Sequence, residues 1–135
     1  MAYDVNVGQD FSFQASTDLS ADQFRFVVLN TSKQLVLAGA NVSCLGVLQD
    51  APSAAGRAAG VRCFGISKVV LGGTVAANDK IASDANGKGV KATAASVSAG
   101  TPEPLAGSYV MGIALEAGVS GDVVSVLLTH AGLTN

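Results

Sequence analysis

Tryptophan is absent from the 135 residues, histidine occurs once, cysteine twice and proline three times, and aromatic residues make up only 5%. Each shortage removes a class of chemistry. A single imidazole, His130, stands five residues before the end of the sequence. A nucleophile–His pair needs that ring held by a third group, and a chain end is a poor place to hold one. Cys44, Cys63 and His130 lack the close spacing of a structural zinc site. Two cysteines do not make a disulfide framework, and in a reducing compartment they are expected as free, buried side chains on adjacent strands. Charge is scarce and mixed: eight basic and ten acidic residues give a net charge of −2. No Lys/Arg run can track a phosphate backbone, so nucleic acid is not an expected partner. No apolar stretch approaches the roughly 20 residues of a membrane span, so no membrane is expected either. Met1-Ala2-Tyr3-Asp4-Val5-Asn6 lacks the basic and apolar regions of a signal peptide, which predicts a protein made in a cytoplasm.

What the sequence does contain is glycine, alanine and valine arranged in short apolar runs. Tyr3, Val5 and Val7 alternate with polar residues, as do Phe11, Phe13 and Ala15, and a period of two marks a strand. Strand-like runs follow at Arg25–Leu29, Leu35–Leu37, Cys44–Leu48, Gly60–Leu71, Tyr109–Ala117 and Val123–Leu128. The run from Gly60 is long for one strand, and Gly65 is read as its bulge or bend. Asp84-Ala85-Asn86-Gly87-Lys88-Gly89 signals a hairpin, because Asn-Gly accepts the positive φ of a tight turn. Helix signals are weak: Ser16–Gln23 has room for one turn with Asp18 as cap, and the alanines of Ala51–Ala59 are interrupted by Pro52 and Gly56.

The reading is all-β: a small Gly/Ala-rich β-barrel or β-sandwich with little helix. Residues 1–15 form an extended N-terminal arm, residues 16–135 a single β domain, and 92–107, almost all Ala, Ser, Thr, Gly and Pro, a surface loop. An internal echo links Leu45-Gly46-Val47-Leu48 and the later Gly60-Val61-Arg62-Cys63 with Met111-Gly112-Ile113-Ala114-Leu115 and Gly121-Asp122-Val123-Val124. A weaker one links the run after Ser32-Lys33 with that after Ser67-Lys68.

The remaining chemical motifs fail individually. Ala82–Gly89 lacks the first Gly and the final Ser/Thr of a phosphate-binding loop, and as a calcium loop it places Ala82 and Thr93 where acids are needed. Ser–Lys neighbours on a strand point to opposite faces. Asp79, Asp84, Glu103, Glu116 and Asp122 stand in or beside turns, where acids serve local hydrogen bonds. No catalytic residue, metal ligand or cofactor site is expected.

Phe24–Leu29, Leu37-Ala38-Gly39-Ala40 and Leu45-Gly46-Val47-Leu48 resemble the opening of a capsid cement (head decoration) family of tailed phages. The resemblance continues through Gly60–Gly65, Val75–Ile81, Asp84–Val90 and Met111–Ala117, with Asn78-Asp79 where the family often has Gly-Asp. It spans about Phe11 to Leu128 and implies a β-rich protein bound outside the expanded phage head, clamping the major capsid protein, with no cofactor and no enzyme activity. A homotrimer is the preferred self-association, a dimer the alternative. Tyr3, Val5, Phe11 and Phe13 are the candidate inter-subunit or capsid contacts, an arm whose strand and aromatics add to a neighbour. The competing function is a small β-sandwich module that recognises carbohydrate or a host surface; a hydrolytic enzyme is a third reading, disfavoured by the inventory above.

Overall fold

A computed structural model describes residues 9–93 and 108–133. Tyr3, Val5 and most of the expected 92–107 loop lie outside those residues. Among the described residues the short apolar runs become nine strands: β1 (Gln9–Gln14), β2 (Phe26–Leu29), β3 (Leu35–Leu37), β4 (Gly46–Leu48), β5 (Ala58–Val70), β6 (Lys80–Ser83), β7 (Gly89–Lys91), β8 (Tyr109–Ala114) and β9 (Val123–Leu133). The described residues contain no helix. At Ser16–Gln23 the Asp18 carboxylate accepts the Ser20 N–H at 2.9 Å in a local turn, competing with a helical turn as short polar side chains do.

The strands form one antiparallel sheet in the order β3-β2-β4-β5-β9-β8-β6-β7, with β1 on β5. It curls into two small, partly closed barrels that share β5. The first half of β5 pairs with β4 and β1; from Gly65, with φ +91°, the second half pairs with β9. An Ala15–Leu35 bridge returns β1 to β3, and a Leu71–Gly89 bridge returns β7 to the end of β5.

The two barrels are the same structure twice. Val27–Leu37, Val28–Val36 and Leu29–Leu35 recur as Ile81–Lys91, Ala82–Val90 and Ser83–Gly89. Phe26–Val47 and Val27–Gly46 recur as Lys80–Ile113 and Ile81–Gly112. Val47–Arg62 and Leu48–Val61 recur as Ile113–Leu127 and Ala114–Val126. The β1–β5 pairs Phe11–Val61 and Phe13–Ala59 recur within β5–β9 as Ser67–Val126 and Val69–Val124. Even the turns repeat. Asn30 Oδ1 accepts the N–H groups of Ser32 and Gln34, and Asp84 Oδ1 those of Asn86 and Lys88. Lys33 and Gly87 take matching positive φ angles of 60° and 70°.

Of the sequence echoes, the β4–β8 half matches this repeat, whereas Gly60-Val61 aligns with Ser125-Val126 and not with Gly121-Asp122. The counterpart of the turn at Ser32-Lys33 is the one at Asn86-Gly87, not Ser67-Lys68.

Each barrel has its own core. Ala15, Val27, Leu35, Leu48, Ala59 and Val61 fill the first. Val69, Leu71, Ile81, Met111, Ala114, Val124 and Val126 fill the second, together with Phe26, Ala38, Cys44 and Val47 from the outside of the first barrel. Strands β2 and β4 are thus apolar on both faces because they form a wall between two cores, as strands buried on both faces require.

Candidate functional site

Where β9 parts from β5, an apolar groove of about 500 Å³ opens, lined by Phe11, Phe13, Cys44, Leu45, Cys63, Phe64 and His130. Strand alternation puts Phe11 and Phe13 on one face of β1, the face that looks into the first barrel: Phe13 packs on that core, whereas Phe11 stays 45% exposed. Phe64, on the rim, is 54% exposed. Exposed aromatics around an apolar hollow are the ordinary composition of a contact surface and not of a folded interior.

His130 is not at a frayed end. It lies within β9 with φ +45°, and its Nε2 sits 2.8 Å from the carbonyl oxygen of Cys63 while its ring meets Phe64 at 5.9 Å. The imidazole bridges the fork between the two strands. Arg62 fastens β1 to β5 on the opposite face through two bonds to Asp10, at 2.8 and 3.1 Å. Both cysteines are free and buried. Burial pushes both thiols up, with the Asp10 charge adding to the effect at Cys63, so neither is poised as a thiolate.

The carboxylates hold turns. Asp79 Oδ2 accepts the Ala76 N–H at 2.8 Å and Oδ1 pairs with Lys91 at 3.0 Å, and these partners, the backbone bond foremost, hold its pKa below the ordinary value. Asp122 accepts the Val119 N–H, and Glu116 accepts the Ser125 N–H, which likewise lowers the Glu116 pKa. Ser67 is buried and bonded to Gln49, while its neighbour Lys68 lies over the Phe24 ring on the other face. No group of three or more His, Cys, Asp or Glu side chains gathers as a metal site among the described residues. The groove's chemistry is apolar contact.

Of the four candidate contact residues, the structure brings Phe11 and Phe13 together in the groove; Tyr3 and Val5 lie outside the described residues. Sequence reasoning missed Phe64, Leu45, Cys44, Cys63 and His130 as members. They come from β5, β9 and the approach to β4, and only the fork unites them.

A second apolar feature lies on the outside of the second barrel. Ile66, Leu127 and Ile113 are registered side by side across β5, β9 and β8. Leu127 is 37% exposed and Val123, further along β9, 46%.

No family model matches the chain, and no curated protein sequence matches it. Among solved structures, it is similar to the crystal structure of the head fiber gp8.5 N base of bacteriophage phi29, with a TM-score of 0.65 over 96% of this chain and 100% of that one, at 16% sequence identity. The duplicated, curled sheet of this chain is therefore a fold that also occurs at the base of a phage head fiber.

Proposed function

We propose that this chain is a structural virion protein, a capsid decoration (cement) protein that binds the outside of the expanded phage head and stabilises the major capsid protein lattice. The observation that carries the reading is the end-to-end fold likeness to the base of a phage head fiber. The sequence resemblance to head decoration proteins points the same way. An aromatic groove with no gathered catalytic or metal-binding set among the described residues suits a clasp, not an enzyme. In this reading the partners are the major capsid protein and further copies of the chain, as a trimer in preference to a dimer. The protein is made in the host cytoplasm and resides on the outer capsid surface, with no cofactor. Tyr3, Val5, Phe11 and Phe13 supply contacts.

The mechanism is mass action. A ligand that binds only the assembled shell stabilises it by RT ln(1 + [L]/Kd), about 2.7 kcal/mol per site at a hundredfold excess over Kd. Repetition over an icosahedral lattice multiplies a modest affinity. The test adds purified protein to expanded heads that lack it, measuring co-sedimentation and the temperature at which DNA escapes. Binding with a raised release temperature is expected. Full occupancy with an unchanged release temperature contradicts the cementing role, and no binding contradicts the reading altogether.

A further inference from the structure

The seam between the two barrels shows what the aromatic groove is built to hold. Phe26, Ala38, Cys44 and Val47, on the outside of the first barrel, share one buried cluster with Val69, Met111 and Leu128 of the second. Backbone groups stitch the contact: the Cys44 N–H meets Met111 Sδ at 3.4 Å, and the Phe26 N–H donates to the Gly87 carbonyl at 2.7 Å. In the repeat register Val69, Met111 and Leu128 correspond to Phe13, Leu45 and Cys63. Those three residues line the groove, with Phe11 and Phe64 beside them. The groove is the socket that Phe26 and its neighbours fill inside the chain, left open in the first barrel.

The described residues display no second set of filling side chains. Phe26 and Val47 are fully buried in the chain's own seam. The counterpart of Phe26 is Lys80, which is exposed, and that of Cys44 is Val110, which is already buried. An ammonium group has no place in an apolar socket, so the complement of the groove belongs to a different protein. Its chemistry is set by the filled socket: a phenylalanine-sized ring beside small apolar side chains, carried on extended backbone, as Phe26 faces Val47 across β2 and β4. The sequence ahead of β1 fits a strand contact at the same place. Counting back from Phe11 in the repeat register sets Tyr3, Val5 and Val7 against Ala59, Val61 and Cys63, the stretch of β5 that pairs with both β1 and β4.

We propose that the groove takes an extended segment of the major capsid protein, which pairs with residues 3–7 and seats a phenylalanine-sized side chain among Phe11, Leu45 and Phe64. The inference deepens the proposed function and rests on it. Strand addition supplies main-chain hydrogen bonds whatever the partner's sequence, and the socket supplies the selectivity for its side chain.

The test measures co-sedimentation with expanded heads that lack this protein. Phe64→Asp and Phe11→Asp each put a charge in the socket; both side chains are exposed, and circular dichroism with thermal melting checks that each variant folds. Each is expected to weaken binding by about thirtyfold or more, as loss of an interface hot spot does. Leu127→Asp, on the outer face of the second barrel, is expected to bind like the unaltered chain. Amide exchange across residues 3–7 is expected to slow when the unaltered chain binds heads. If the unaltered chain binds but both socket variants bind equally well, or Leu127→Asp weakens binding as much as they do, or exchange across residues 3–7 does not change, this inference fails and shell binding stands. If the unaltered chain does not bind, both fail. An oligomer in solution that Phe64→Asp breaks apart would assign the groove to a second copy and overturn the proposal.

Discussion

Adding one methyl group at each of two glycines measures whether the barrels share one backbone constraint. Gly46 and Gly112 hold equivalent positions in β4 and β8. A Cβ on Gly46 would overlap the Arg62 carbonyl oxygen and lie 2.9 Å from Val61 Cγ1. A Cβ on Gly112 would lie 2.7 Å from the Leu127 carbonyl oxygen and 2.5 Å from Val126 Cγ1. Arg62 and Leu127 are themselves equivalent, as are Val61 and Val126. Carbon atoms prefer separations of about 3.5–4.0 Å, so the neighbouring strand must retreat by on the order of 1 Å along a ladder whose other face is packed. Overpacking of this kind costs about 1–3 kcal/mol, which exceeds the roughly 0.5–1 kcal/mol that alanine gains over glycine in a strand. The clash wins at both sites. Gly46→Ala is expected at the upper end because the backbone carbonyl it meets is nearer than the one facing Gly112. Near 3 kcal/mol this corresponds to a fall in Tm of roughly 10 °C for a domain of this size. Gly39→Ala is the control, since a Cβ there meets nothing within 4 Å; it is expected within about 0.5 kcal/mol of the parent. Urea unfolding with the slope held constant reads all three. If Gly46→Ala and Gly112→Ala match Gly39→Ala, the strand separation at the repeated positions is wrong and the duplication argument goes with it.

Other expectations are as direct. Asp79 has a folded-state pKa below its ordinary value, so its contribution to stability is present above the unfolded carboxylate range and is lost as pH falls through the folded value. Unfolding followed from pH 7 down through about pH 3 is expected to show Asp79→Asn with a shallower acid decline than the parent; an identical slope would remove Asp79 from the account. Asp10→Asn breaks the two-bond pair to Arg62 that fastens β1. With Asp10 partly exposed the loss is at most about 1 kcal/mol. It is expected to appear as faster amide exchange confined to β1, and uniform exchange across β5 and β9 as well would mean that the pair does more than hold that strand. Val61→Ala, in the first core, is expected to cost about 2–3 kcal/mol in urea unfolding, since a fully buried side chain leaves a cavity; less than 1 kcal/mol would show that the first barrel is loosely packed.

Much of the architecture was legible because period-two alternation is a local signal. Ala59, Val61 and Cys63 point inward along β5 while their neighbours do not, and Asp84–Lys88 announced its hairpin through turn chemistry alone. The duplication was legible only in part. Its constraint is on the backbone, and few side chains kept it: the glycines of β4 and β8 persisted, while Phe26 became Lys80, Leu37 became Lys91 and Arg62 became Leu127. The first of those changes follows burial: Phe26 is fully buried between the barrels, whereas Lys80 is exposed. The last follows the neighbouring strand, since Arg62 pairs with Asp10 and Leu127 stands beside Ile66. The groove was half visible, as the Phe11–Phe13 spacing. Phe64 and His130 joined it through the parting of β9 from β5 at Gly65, a tertiary event that no local pattern in either strand records.

The measurement that bears most directly on the proposed role is a reconstruction of expanded phage heads imaged with and without saturating amounts of this protein. Discrete density on the exterior at repeating lattice positions, large enough for the two-barrel body and touching neighbouring major capsid protein subunits, is the expected result. Bare heads in both samples, or density confined to the interior, would contradict it.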